Sequence, residues 1–168
     1  MFDVLRRNNV IAGMLAIIRI YLGYQFLHAG IEKIAGGGFD ASGFLQGAVA
    51  SATGEHPAVQ GWWAAFLEHV ALPNSSLFSF LVMWGEVLVG IALILGLLTN
   101  FAALMGMVMN FAFLFSGTVS TNGQMILLAF FVIVAGANAG KYGLDRWAIP
   151  YLRSLTPSKK VKKETATV

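Results

Sequence analysis

Four apolar runs divide the chain, at residues 10–35, 77–98, 101–117 and 123–139, and each is close to the ~17–25 residues a helix needs to cross a bilayer. The connections between the second, third and fourth runs are short: Thr99-Asn100, then residues 118–122. Helices joined so tightly must pack antiparallel to their neighbours. Strands are not expected, because open strand edges facing lipid would leave peptide groups without partners. The stretch 36–76 has a different pattern. Phe44, Leu45, Ala48, Val49 and Ala52 share one helical face, as do Trp62, Trp63, Phe66, Leu67 and Val70. Gly36-Gly37-Gly38 breaks the chain before this stretch and Pro73 after it. The pattern predicts two short amphipathic helices, acting as aromatic anchors in the headgroup zone or as a lid or docking surface.

The predicted fold is therefore all-α: an integral membrane four-helix bundle over residues 1–155, with short interfacial helices in an outer insertion at 36–76. Composition agrees, since 57% of the 168 residues are hydrophobic and the mean hydropathy is +0.72. Arg6 and Arg7 precede the first run as they would in a cleavable signal, but a run of about 25 residues is too long for one, so it reads as a retained helix.

Charge sets the orientation. No Lys or Arg lies between Ile34 and Gly140, whereas seven of the eleven basic residues lie from Lys141 onward. Basic residues resist translocation, so both termini are expected on the cytoplasmic side of the cell membrane. The 36–76 connection, with Asp40, Glu55 and Glu68 as its charges, is expected outside. Lys159, Lys160, Lys162 and Lys163 mark residues 156–168 as a disordered basic tail attracted to anionic lipid rather than to nucleic acid. With no cysteine, the chain has no dithiol relay or iron–sulfur ligands of its own. No two His have i, i+4 spacing, so no metal site is expected.

Polar residues inside the apolar runs carry the chemistry, because an ionised group at mid-bilayer costs ~2.5–3.5 kcal/mol on an insertion scale. Arg19, Gly23, Phe26, Gly30 and Lys33 form one stripe of the first helix, and Tyr21, Gln25, His28 and Glu32 form a second. Counted along their helices, Arg19, Glu86 and Asn110 each lie about nine residues in, near the midplane. An Arg19–Glu86 contact is the expected neutralisation, either as a packing clasp or as part of a site. His28, Glu32 and Lys33 lie near the outer end of the first helix, with Asn122 and Gln124 at the outer start of the fourth, and His28, Glu32, Lys33 and Gln124 are expected to cluster. His28 there can carry a proton, donate to a ligand or simply be hydrogen-bonded.

These residues also carry a resemblance. Arg19-x3-Gly23-x2-Phe26-x-His28-x-Gly30-x2-Lys33, Glu86-x3-Gly90-x5-Gly96 and Gly136-x3-Gly140-x-Tyr142-x-Leu144-Asp145 resemble the pattern of the DoxX/DoxD family of small four-helix membrane proteins. Gln124 stands where a Glu is common in that family, and the outer insertion is longer than in many members. The resemblance implies a subunit of a thiosulfate:quinone oxidoreductase or of a related oxidative-stress or catechol-detoxification system. On that expectation quinone is the cofactor, and the partners are membrane lipid, quinone and another redox subunit or a second copy of the chain. Arg19, Glu86, Asn110 and Gln124 would bind the quinone, and His28, Lys33 and Glu32 would serve catalysis near the outer face. The competing reading is a non-enzymatic membrane scaffold, an assembly or cargo-binding partner whose polar residues hold the bundle together.

Overall fold

The computed structural model describes residues 2–155, and all their regular structure is helical. The expected disordered tail at 156–168 lies outside the described residues. A short helix α1 (Phe2–Arg7) leads into α2 (Asn9–Ala35), whose first turn is capped by the Asn8 side chain accepting from the Val10 and Ile11 amides. Then follow α3 (Ala41–Ala50), α4 (Gly61–Phe66, continued by a π-helical turn at Leu67–Ala71), α5 (Ser75–Leu95), α6 (Thr99–Phe115), α7 (Asn122–Ala135, ending in a 3-10 turn at Gly136–Asn138) and α8 (Asp145–Leu155). Each apolar run of the sequence thus becomes a helix. The terminal helices α1 and α8 were not anticipated.

The four long helices surround an apolar core that includes Leu15, Leu22, Phe26, Leu93, Met125 and Val132. Within it α2 packs most closely on α5, and the two backbones meet at glycines. A Cβ placed on Gly23 would lie 2.8 Å from the Gly90 carbonyl oxygen, and one on Gly90 would lie 2.6 Å from the Leu27 nitrogen. Toward the C-terminus of α2 Gly30 faces Val87, and toward its N-terminus Arg19 lies against Gly96, so the two helices run antiparallel.

The outer face of this bundle is apolar. Ile17, Leu88, Phe101, Val108, Leu127 and Phe130 are all exposed, while Arg19, Glu86, Asn110 and Asp145 are each at most 5% exposed. That inverts the usual arrangement of a water-soluble domain. Two helices, α2 and α5, are long and apolar enough to cross a membrane, and most of each apolar stretch faces outward.

The 36–76 segment folds into the two amphipathic helices its pattern predicts, and protein covers most of their apolar faces, although Trp62 and Val70 stay exposed. Leu45, Ala48, Leu67 and Ala71 form a second small core with Phe44, Trp63, Phe66 and Phe78 around it. Asp40 caps α3, and hydrogen bonds from the Ser42 hydroxyl and amide hold its carboxyl below the usual carboxylate range. The segment is tied to the bundle twice: the Ala41 amide donates to Ser79 Oγ (2.9 Å), and Trp63 Nε1 donates to Ser116 Oγ (2.9 Å).

Candidate functional site

At the end of the bundle beneath this segment lies a cavity of about 350 Å³. Lys33 reaches it from α2, Glu86 from α5, Asn110 from α6 and Asn122 from α7. Lys33 Nζ donates to both Glu86 oxygens, at 2.7 and 3.0 Å, and lies 5.5 Å from the centre of the Phe39 ring. The Glu86 side chain is 4% exposed and that of Lys33 23%, so the pair sits at the boundary between bundle interior and cavity. Asn122 Nδ2 is occupied by the Thr118 carbonyl at 2.7 Å. Asn110 is buried, lines the cavity, and its Nδ2 has no hydrogen-bond partner. A buried amide without a partner calls for an explanation, and an adjoining polar cavity offers one.

Phe39, Phe44 and Phe113 form the aromatic wall, the last two meeting edge to face at 6.1 Å. The same three rings also border a second, apolar cavity of about 80 Å³ among Leu45, Trp63, Phe66 and Phe78. A chamber edged by Lys33, Glu86 and Asn110 and a small apolar slot therefore share one wall.

The expected Arg19–Glu86 contact does not form. Arg19 faces Gly96, ten residues along α5 from Glu86, or about 15 Å at the helical rise. Side chains on a helix lean toward its N-terminus. On α2 that carries the Arg19 guanidinium away from Glu86, toward the opposite end of the bundle, and it swings Lys33 back into the bundle. On antiparallel α5 the same lean points Glu86 toward Lys33. The neutralising partner was present in the sequence, but Cα depth alone selected the wrong cation.

Arg19 belongs instead to a closed cluster. Its Nη2 donates to the Tyr142 carbonyl at 3.4 Å, its guanidinium packs on Gly96 and Gly143, and Asp145 is the charge it interacts with. Asp145 accepts the Leu98 amide at 2.6 Å and the Thr99 amide at 2.9 Å, capping α6 from 46 residues away. Its own amide donates to the Gly96 carbonyl at 2.8 Å. Gly96 has a left-handed φ of +65°, which ends α5, and a side chain there would collide with Arg19. In the sequence Asp145 stands only as the last residue of the third motif, and nothing local marks it as the cap of a helix that begins 46 residues earlier.

The expected cluster of His28, Glu32, Lys33 and Gln124 is also corrected. His28 and Glu32 approach each other at 3.4 Å on the exposed face of α2, with their side chains 52% and 69% exposed. Lys33, one residue on from Glu32, points the other way because successive helical residues are about 100° apart. Gln124 is exposed and does not line the cavity, whereas Asn122 and Met125 do. Gln25, which the sequence placed on the stripe with His28, donates to Tyr21 Oη at 3.2 Å and reaches the cavity edge. Among the described residues no three His, Cys, Asp or Glu side chains come together as a metal site would require.

The family model for DoxX matches residues 14–119, a span that holds Arg19, Lys33, Glu86 and Asn110. No curated protein and no solved structure matches the chain.

Proposed function

The chain belongs to the DoxX family, and from that premise we propose that it is a four-span membrane subunit whose outer cavity takes the head group of a quinone in an oxidoreductase. The four-span reading extends the two long helices to α6 and α7, at 17 residues each including the 3-10 turn of α7. It is supported by the apolar residues facing outward on all four, and by the basic residues gathered at the end of the bundle where both ends of the described chain lie. The cavity then opens toward the outer side.

The observation that carries the quinone reading is the unpartnered Asn110 amide beside the Lys33–Glu86 pair in a cavity of about 350 Å³. That volume is within the ~300–1,000 Å³ of small-molecule sites, which are mostly apolar with a few placed polar groups. The carbonyl oxygens of a quinone need donors: Lys33 Nζ is one at the cavity, and Asn110, a lining residue whose buried Nδ2 has no partner, would supply a second on turning its amide toward the ligand. Phe39, Phe44 and Phe113 suit a flat ring, and the adjoining slot suits the start of an apolar tail. When bound, a quinone supplies two-electron acceptor chemistry. Lys33 orients one oxygen, Glu86 holds a proton position beside it, and the 36–76 segment limits access of water. His28 and Glu32 lie outside this cavity, so any proton they handle is exchanged at the exposed face of α2.

The test is donor-dependent reduction of a short-chain quinone by membranes rich in the protein, with thiosulfate as the small outer-face donor. Reduction that Lys33→Met and Asn110→Ala both slow, without loss of folded protein, is the expected result. No donor-dependent reduction, together with unchanged quinone binding in both variants, would favour the non-enzymatic scaffold.

A further inference from the structure

At the opposite end of the bundle from the quinone cavity lies a cleft of about 450 Å³ between α1, the end of α7 and α8. Five cations line it: Arg6, Arg7, Lys141, Arg146 and Arg153. They come from the two ends of the described chain, so the fold gathers them. The acid among the lining residues is Asp145, whose oxygens are already taken by the Leu98 and Thr99 amides. None of the five cations forms an ion pair among the described residues. Arg6 donates to the Val134 carbonyl, Lys141 to Asn9, and Arg146 stacks on Trp147 at 4.6 Å. Like charges held in one concavity without counter-charge raise a strong local attraction for anions.

Helix α8 says which side of the cleft meets lipid. Arg146, Ile149, Pro150 and Arg153 line the cleft, while Trp147, Tyr151 and Leu155, spaced by four, form an exposed stripe on the other side. Trp147 also borders Ile94 and Leu95 at the end of α5, which places the stripe at the level where the apolar surface of the bundle ends. Trp and Tyr favour the membrane–water boundary. The cleft therefore opens at headgroup depth.

We propose that this cleft binds the headgroup of an anionic phospholipid. A basic pocket at helix ends on the inner side of a membrane suits phosphate-bearing lipid. Its volume, with five cations and no free acid among the described lining residues, favours a headgroup that carries two phosphates, such as diphosphatidylglycerol. The same charges would also attract a free diphosphate, and the apolar stripe beside them is what favours lipid. The site is independent of what the outer cavity holds.

The test uses the full chain, delipidated in detergent and then titrated with diphosphatidylglycerol, phosphatidylcholine or inorganic pyrophosphate, with retained lipid read by native mass spectrometry. Diphosphatidylglycerol should be retained at one per chain and resist displacement by pyrophosphate. Arg7→Gln with Arg153→Gln, two lining cations without a hydrogen bond among the described residues, should weaken retention roughly 25-fold, at about fivefold per cation near a lipid surface. Replacing both by Lys should restore most of it. Equal retention of phosphatidylcholine would overturn the proposal, as would displacement by pyrophosphate at comparable concentration. So would a loss that follows replacement of Lys159, Lys160, Lys162 and Lys163 but not of the two arginines. The competition on the unaltered protein decides the matter even if the Gln variant does not fold.

Discussion

The two ends of the bundle each bury charge in an apolar surrounding, and they handle it differently. At one end the Arg19 guanidinium packs on two glycines, and Asp145, although it edges the basic cleft, uses its carboxylate to cap a helix. At the other, Lys33, Glu86 and Asn110 border a cavity. Unpartnered donors occur in both, Arg19 Nε and Nη1 in the first and Asn110 Nδ2 in the second. Neither buried charge nor an idle donor separates a fastening from a site. What separates them is that Lys33, Glu86 and Asn110 all line one cavity, whereas the Asp145 oxygens are occupied by backbone amides, so the Lys33 end is the candidate for binding and the Arg19 end a fastening.

The sharpest way to break this contrast is at Asp145. Asp145→Ala orphans the Leu98 and Thr99 amides and leaves Arg19 without its counter-charge. Removal of one partner from a buried charged cluster costs about 3–5 kcal/mol. Thermal unfolding should show a loss of about 4 kcal/mol, and any folded fraction should bind quinone as the parent does. Unfolding at the parent temperature would mean that Asp145 fastens nothing.

Glu86→Gln is expected to cost less, about 2 kcal/mol, because the partly exposed Lys33 can turn its ammonium toward water. Glu68→Gln, on an exposed position of the 36–76 segment, should stay within about 0.5 kcal/mol. Converting Lys33 and Glu86 together to Met should recover much of the stability but not quinone binding. If the double variant binds normally, the ion pair is another fastening.

Asn110→Ala separates binding from stability most cleanly. Its amide has no intramolecular partner to lose, so stability should change by under about 1 kcal/mol, while loss of a donor to a ligand should weaken quinone binding about 5- to 10-fold. Isothermal titration beside a melting curve measures both. The smallest effect is expected for His28→Ala, under about twofold in binding and about 0.5 kcal/mol in stability, since His28 lies on the exposed face. A larger effect on binding would move the site onto that face.

Much of the architecture was legible in the sequence. The four apolar runs became helices, and the stripe from Arg19 to Lys33 proved to be the inward face of α2, because helical periodicity and apolar length are local properties. The amphipathic insertion was legible for the same reason. Which charges meet was not legible. Arg19 and Glu86 lie at similar counted depths, and only the register of α2 on α5 at Gly23–Gly90, with the lean of side chains along antiparallel helices, assigns Glu86 to Lys33. Asp145 was hidden because its role depends on a turn 46 residues earlier. Asn122 rather than Gln124 faces the cavity because two residues along a helix are about 200° apart, and no pattern in so uniformly apolar a segment fixes its rotation.

The central claim, that the cavity bordered by Lys33, Glu86 and Asn110 is where quinone binds, is tested most directly by photo-crosslinking an azidoquinone to the protein in native membranes and mapping the modified residues. The account predicts saturable labelling on Phe39, Phe44 or Phe113, displaced by unlabelled quinone and diminished by Asn110→Ala. Labelling near Tyr142 and Trp147, or labelling that quinone does not displace, would contradict it.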